Sequence, residues 1–99
     1  MHGKVIFPRP LEEALLRHPA VRYACVIAKK DPQAGQVPKA IVELYPDAAA
    51  TPEELMDHCN AVLGEENTIQ VIEIIAQMPM TPTGKIGRAD LQAREDQLS

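Results

Sequence analysis

Aromatic residues are almost missing from this chain: it has no tryptophan, two tyrosines and one phenylalanine in 99 residues. Its core must therefore come mostly from Leu, Ile, Val, Ala and Met. Cysteine is scarce as well. Cys25 and Cys59 lie in apolar patterns without zinc or redox-pair spacing, and are expected to be buried free thiols in a reducing cytosol. His2, His18 and His58 also lack ligand spacing, so no metal site is expected. His18, at the end of a helical pattern, reads as a capping or dipole feature.

Positive charge is in deficit too. Ten Lys and Arg against fourteen Asp and Glu give a net charge of −4. The basic residues are scattered and form no stripe of the kind that binds nucleic acid, so no nucleic-acid partner is expected. No run of about 18 apolar residues exists, which excludes a transmembrane helix. The apolar stretch in Met1–Ile6 is too short for a signal peptide, and a cytoplasmic location follows. What remains is 45% hydrophobic and suits a folded unit. The chain is expected to be one domain over residues 1–99, able to bury roughly 60–70% of its unfolded surface.

Pro10, followed by Leu11, Glu12 and Glu13, predicts a helix start with acids at the positive end of the dipole, and Pro19 ends that helix. Leu11, Leu15 and His18 share one of its faces. Residues 21–28 predict a buried strand closed by a turn at Lys29–Pro32. A second strand is expected over 37–45, with Pro38 placing its start at an edge or bulge. Thr51-Pro52-Glu53-Glu54 is a capping box with proline at the first helical position. Leu55, Cys59, Val62 and Leu63 continue it as an amphipathic helix that Gly64 can end. The Ile/Val run from Ile69 to Ala76 predicts a third strand, central and covered on both faces. Residues 88–98 predict a short polar helix. The fold class is α+β, a small three-stranded sheet with helices packed on it in the order α-β-β-α-β-loop-α.

Between the third strand and the last helix runs Pro79-Met80-Thr81-Pro82-Thr83-Gly84-Lys85-Ile86-Gly87-Arg88. It sets one lysine on a Thr/Gly/Pro loop, a mobile point charge with three donors suited to a carboxylate or phosphate oxygen. A phosphate-binding P-loop does not fit. Pro79 stands where the first glycine belongs, and Ile86 where Ser or Thr would meet magnesium. An isolated Thr-Gly-Lys would read as an ordinary solvated turn. Here the match is longer. The run resembles the C-terminal motif of the acyl-adenylate-forming superfamily, approximately Pro-Lys/Arg-Thr-x-Ser/Thr-Gly-Lys-Ile/Leu-x-Arg-x-x-Leu. Pro79, Thr81, Thr83, Gly84, Lys85, Ile86, Arg88 and Leu91 agree with it, and Met80 departs. A second block resembles the same superfamily through Gly3, Ile6, Pro8, Leu11, Glu12, Leu15, His18, Pro19, Val21, Ala24 and Val26. Asp31-Pro32 with Gly35-Gln36 and Pro38-Lys39-Ala40 resembles its fatty-acyl-CoA ligases. Pro10 and Glu66-Asn67-Thr68 depart.

The resemblance implies a C-terminal lid domain of an acyl-CoA synthetase, without the family's hinge and large N-terminal domain. It implies a two-step reaction. A carboxylate attacks the α-phosphate of ATP, carried with Mg, to give acyl-adenylate and pyrophosphate; the thiol of CoA then displaces AMP. Lys85 would be the catalytic lysine of the first step. Thr81, Thr83, Gly84 and Arg88 would support its loop, and Gly3 would line the CoA tunnel. The implied partners are the N-terminal adenylation domain, in cis or in trans, and a carboxylic acid. The isolated chain, with no nucleotide cradle of its own, is expected to be inactive. A standalone interaction module, complementing a separate adenylating subunit or a carrier protein, is the alternative. A reading frame starting natively at Met1 would favour the module, and a longer mature protein the excised domain.

Overall fold

The computed structural model describes residues 8–98. Among them helix α1 spans Pro8–Leu16, strand β1 Val21–Asp31, strand β2 Gly35–Leu44, helix α2 Pro52–Leu63, strand β3 Val71–Ile75 and helix α3 Arg88–Leu98. A single 3₁₀ turn, Gly64–Glu66, follows α2. The strands form one mixed sheet in the order β1-β2-β3, with β1 and β2 antiparallel and β2 and β3 parallel. This is the expected α+β arrangement with the expected order of elements.

Because side chains alternate across a strand, the sheet has two distinct faces. One carries Ala24 and Val26, Ala40 and Val42, and Ile72. It is closed by Leu11 and Leu15 of α1 and by Leu55 and Cys59 of α2. The other carries Cys25, Ile27 and Ile41 and is closed by Met78 and by Leu91 of α3. The described residues therefore stack as α1 and α2, then the sheet, then α3.

The capping box forms as expected. The Thr51 hydroxyl accepts from the Glu54 N–H at 3.1 Å and the Glu54 carboxylate accepts from the Thr51 N–H at 3.0 Å. Gly64, at φ +59°, ends α2 with its N–H donating to the Asn60 carbonyl. Val62 does not join the core; it is exposed at the end of the helix.

Several expectations are corrected. The Ile/Val run does not form the central strand: β3 lies at the sheet edge, opposite the β1 side, and β2 is central. A parallel β2–β3 pair needs a crossover, and α2 supplies it, which leaves β3 outermost and mostly half-buried. Pro38 lies in β2 one residue before the β3 pairing begins at Lys39, so locally it is at an edge, as expected. Its partner Ala28 turns both backbone groups outward to Gln92, so the missing Pro38 N–H faces the side that β3 does not yet line. Helix α1 begins at Pro8, two residues early, so Glu12 and Glu13 fall beyond its first turn. Glu12 instead reaches across to accept from the Val26 N–H at 2.7 Å. His18 lies past the helix end, where its Nδ1 accepts from the Ala20 N–H at 3.1 Å.

Candidate functional site

Lys85 stands on a hairpin that rises between β3 and α3. Proline at 82 presets φ for the first corner of a turn, and the Gly84 N–H closes that turn onto the Thr81 carbonyl at 2.9 Å. Thr83 keeps a negative φ, while Gly84 takes φ +82°, where a β-carbon would be strained. Thr81 then donates its N–H to the Lys85 carbonyl at 2.7 Å. This is the three-residue hairpin loop that ends in a left-handed bulge residue. Met80 and Ile86 bridge below it, and the Gly87 N–H donates to the Pro79 carbonyl at 2.7 Å. Gly87 is needed for closeness: a β-carbon there would sit 3.1 Å from an Asp90 carboxylate oxygen and 3.4 Å from the Pro79 carbonyl.

Hydroxyls brace the loop from inside. Thr81 Oγ1 accepts from the Lys85 N–H at 3.1 Å and lies 3.0 Å from Thr83 Oγ1. The Lys85 side chain is exposed, and its ammonium has no hydrogen bond or ion pair among the described residues. A cation held on a bonded loop, with its own head left unsatisfied, is available to an incoming anion.

Arg88 points the other way, into the fold. Its Nη1 donates to the Val26 carbonyl at 2.6 Å, and its Nη2 pairs at 2.8 Å with the same Glu12 oxygen that accepts from the Val26 N–H. Gln92 repeats the pattern one turn on, taking the Ala28 N–H at 3.0 Å and donating to the Ala28 carbonyl at 2.8 Å. Together they satisfy the outer edge of β1, which would otherwise present a row of open backbone groups. Arg88 thus fixes the start of α3, and with it the descending leg of the hairpin. Gly3 lies outside the described residues.

Three buried or half-buried polar residues were missed in the sequence, Glu43, Glu73 and Glu95, and Lys39, named there only as part of the Pro38-Lys39-Ala40 run, joins two of them. Lys39 is 7% exposed and bonds Glu95 at 2.6 Å and Glu73 at 2.8 Å; Arg94 pairs with Glu73 at 2.6 Å. Burial works to lower the Lys39 pKa, but its hydrogen bonds to the two carboxylates outweigh that and raise it. The same hydrogen bond from Lys39, and one from Arg94, hold Glu73 below the usual carboxylate value. A charged residue between apolar ones on a strand is the available signal, as in Pro38-Lys39-Ala40-Ile41, but its partner lies far along the chain.

The thiols are not poised for chemistry. Burial pushes Cys25 up to about 11 against the pull of Arg88, and raises Cys59 as well. Among the described residues no group of three or more His, Cys, Asp or Glu side chains is placed to hold a metal ion. No described helix is long and apolar enough to cross a membrane. Beside the hairpin, Ile75, Met78, Met80, Asp90 and Arg94 line an open depression.

Comparison with known proteins decides the family. Residues 10–85 match the model of the AMP-binding enzyme C-terminal domain, and Lys85 is the last residue matched. The chain belongs to this family. It is 35% identical over 98 residues to the mitochondrial acyl-coenzyme A synthetase ACSM1 of Homo sapiens, covering 94% of this chain and 17% of that protein. It is 38% identical over 89 residues to the sulfoacetate–CoA ligase of Cupriavidus necator, covering 90% of this chain and 18% of the ligase. The crystal structure of an acyl-CoA synthetase from Brucella canis superposes with a TM-score of 0.83 at 40% identity, over 94% of this chain and 18% of that one. The chain therefore spans less than a fifth of the length of these relatives.

Proposed function

We propose that this chain is the lid domain of an AMP-forming acyl-CoA synthetase and that Lys85 is its adenylation lysine. One observation carries the reading: in a chain of this family, the hairpin is braced by its own hydrogen bonds while the Lys85 ammonium at its crest has no partner among the described residues. The first half-reaction brings two anions together and develops negative charge on phosphorus and on the departing pyrophosphate. A preorganised cation delivered there in a water-poor cleft stabilises the transition state more than the ground state. Lys85 would bond the acid's carboxylate oxygen and the α-phosphate side of ATP. Magnesium would travel with the ATP phosphates. The N-terminal adenylation domain, in cis or in trans, would hold nucleotide and acid, so the isolated chain would be inactive.

Rotation of the lid as a rigid body would then withdraw Lys85 and present another face for thioester formation with CoA. Thr81, Thr83 and Gly84 hold the loop in shape for the first step, Arg88 ties it to the body, and Gly3 would contribute to the CoA tunnel. Buried free thiols suit a reducing compartment such as the cytoplasm.

The test is pyrophosphate release from a panel of fatty and aryl acids, using this chain mixed with a matching N-terminal domain. Release should require both pieces, and Lys85→Ala should lower it by about 10²–10³. Release unaffected by Lys85→Ala, or by omitting the chain, would overturn the reading and leave an interaction module.

A further inference from the structure

Among the described residues, Glu43 is the one buried acid that the ion cluster around Lys39 does not use. It is 8% exposed and ends the parallel ladder, its backbone standing opposite Ile75, the last residue of β3. After Ile75 the chain leaves the sheet through exposed Ala76 and Gln77, then dives back at Met78, which is 1% exposed. There the Met78 N–H donates to Glu43 Oε1 at 2.6 Å. The same residue thus closes the last rung of the sheet with its backbone and catches the departing chain three residues later with its side chain. Arg22 steadies the second carboxylate oxygen from 3.7 Å. The next residue, Pro79, accepts the bond from Gly87 that closes the base of the Lys85 hairpin.

The hairpin has two legs, joined to each other by the Gly87–Pro79 bond and the Met80–Ile86 bridge, and each leg has its own polar tie to the sheet. Arg88 with Glu12 holds the descending leg against β1. Glu43 holds the ascending leg against β2. The apolar contacts of Met78 are non-directional and fix that leg in depth more than along the sheet. The directional bond from the Met78 N–H to Glu43 sets its position along the sheet.

We propose that Glu43 is a positioning residue for Lys85, setting where along the sheet the hairpin rises and so how far the ammonium reaches. This rests on the adenylation reading of Lys85. Misplacing a catalytic group by about 1 Å can cost about 10²-fold in rate without weakening substrate binding. Glu43→Leu should therefore lower kcat for pyrophosphate release by up to about 10²-fold with KM little changed. The thioester half-reaction, started from supplied acyl-adenylate and CoA, should keep its rate because it does not use the hairpin.

The substitution series separates reach from charge. Glu43→Gln keeps an oxygen acceptor at the same reach and should restore adenylation; Glu43→Asp keeps the charge but falls one methylene short and should behave like Glu43→Leu. If Glu43→Leu does not fold, the Gln and Asp variants alone carry the comparison. Amide hydrogen exchange on this chain gives a readout independent of activity. Met78, Gly84 and Gly87 should exchange faster in Glu43→Asp, with residues 55–63 of α2 unchanged. Leu55→Ala, on the far face of the sheet, is the control for plain loss of stability. Equal slowing of both half-reactions by Glu43→Asp, tracking lost Tm as Leu55→Ala does, would overturn the proposal. So would an active Glu43→Asp beside an impaired Glu43→Gln. If Lys85→Ala abolishes adenylation and the Glu43 variants do not, this inference alone falls. If Lys85→Ala changes nothing, the adenylation reading falls and takes this one with it.

Discussion

The two faces of the sheet are built from different materials. The face under α1 and α2 is dry: Ala24, Val26, Ala40, Val42 and Ile72 meet Leu11, Leu15, Leu55 and Cys59, and the contacts are apolar. The face under α3 alternates Ile41 with Lys39 and Glu43 on β2, and sets Glu73 on β3 opposite Glu95 on α3. Apolar packing is non-directional and rewards area. Bonded buried charges contribute little net stability, but they tolerate few geometries. The apolar face belongs to the body of the domain; the charged face lies beneath the helix and hairpin that place Lys85. The difference separates what keeps the domain folded from what fixes the position of the loop.

Mutations on each face should break this contrast in opposite ways. The largest effect is expected from Lys39→Met, which removes the ammonium that Glu95 meets at 2.6 Å in a side chain only 4% exposed. Breaking one end of a buried pair costs about 3–5 kcal/mol, measured as a shift in the urea unfolding midpoint. Substituting both ends with apolar residues, Lys39→Met with Glu95→Leu, should recover much of that loss. A double variant as unstable as the single would mean that the pair contributes net stability rather than geometry. On the dry face, Leu55→Ala should cost about 2–5 kcal/mol through lost burial and a residual cavity. No second substitution of charge can offset it, and the hairpin amides should keep their exchange protection relative to the rest of the chain.

Local signals were the legible ones on both faces. Periodicity located α2 on the dry face and the Thr51 capping box fixed its start, and the polar run over 88–98 located α3 on the charged one. The Lys85 loop was legible for the same reason: Pro82, Thr83 and Gly84 encode the turn within a few residues. Strand order was not. The Ile69–Ala76 run looked central because continuous apolar sequence is read as burial on both faces, yet the crossover through α2 left it at the edge with Glu73 turned toward Lys39 and Arg94. The braces of the site escaped as well. Lys39 and Glu95 are 56 residues apart, and Glu43 and Met78 are 35. Nothing within a local window joins such pairs; only the closed sheet does. Glu12 was assigned to a helix dipole because its partner, Val26, is reached only once α1 packs on β1.

The smallest effect expected is the pH dependence of the charged face, and its sign follows from Glu73. Hydrogen bonds from Lys39 and Arg94 lower its pKa from the ordinary 4.5. A group with a depressed folded pKa contributes stability that is present above its unfolded value and is lost as pH falls through the folded one. Lys39 is raised from 10.5, so its contribution is complete below that value and is lost only as pH climbs past the folded one. Between the two, Glu73 and Lys39 are both charged, and the stability their pair contributes should be flat. Glu73→Gln should lower the urea midpoint at about pH 7, and the gap from the unsubstituted chain should narrow as pH falls below the ordinary 4.5 and close once it has passed the lowered folded value. Because the Glu73 side chain is 31% exposed, solvent screens the pair, and the gap should stay within the 1 kcal/mol or so of a surface ion pair. An unchanged gap at low pH would mean that Glu73 acts through packing rather than charge. The contrast between the two faces would then rest on Lys39 and Glu95 alone.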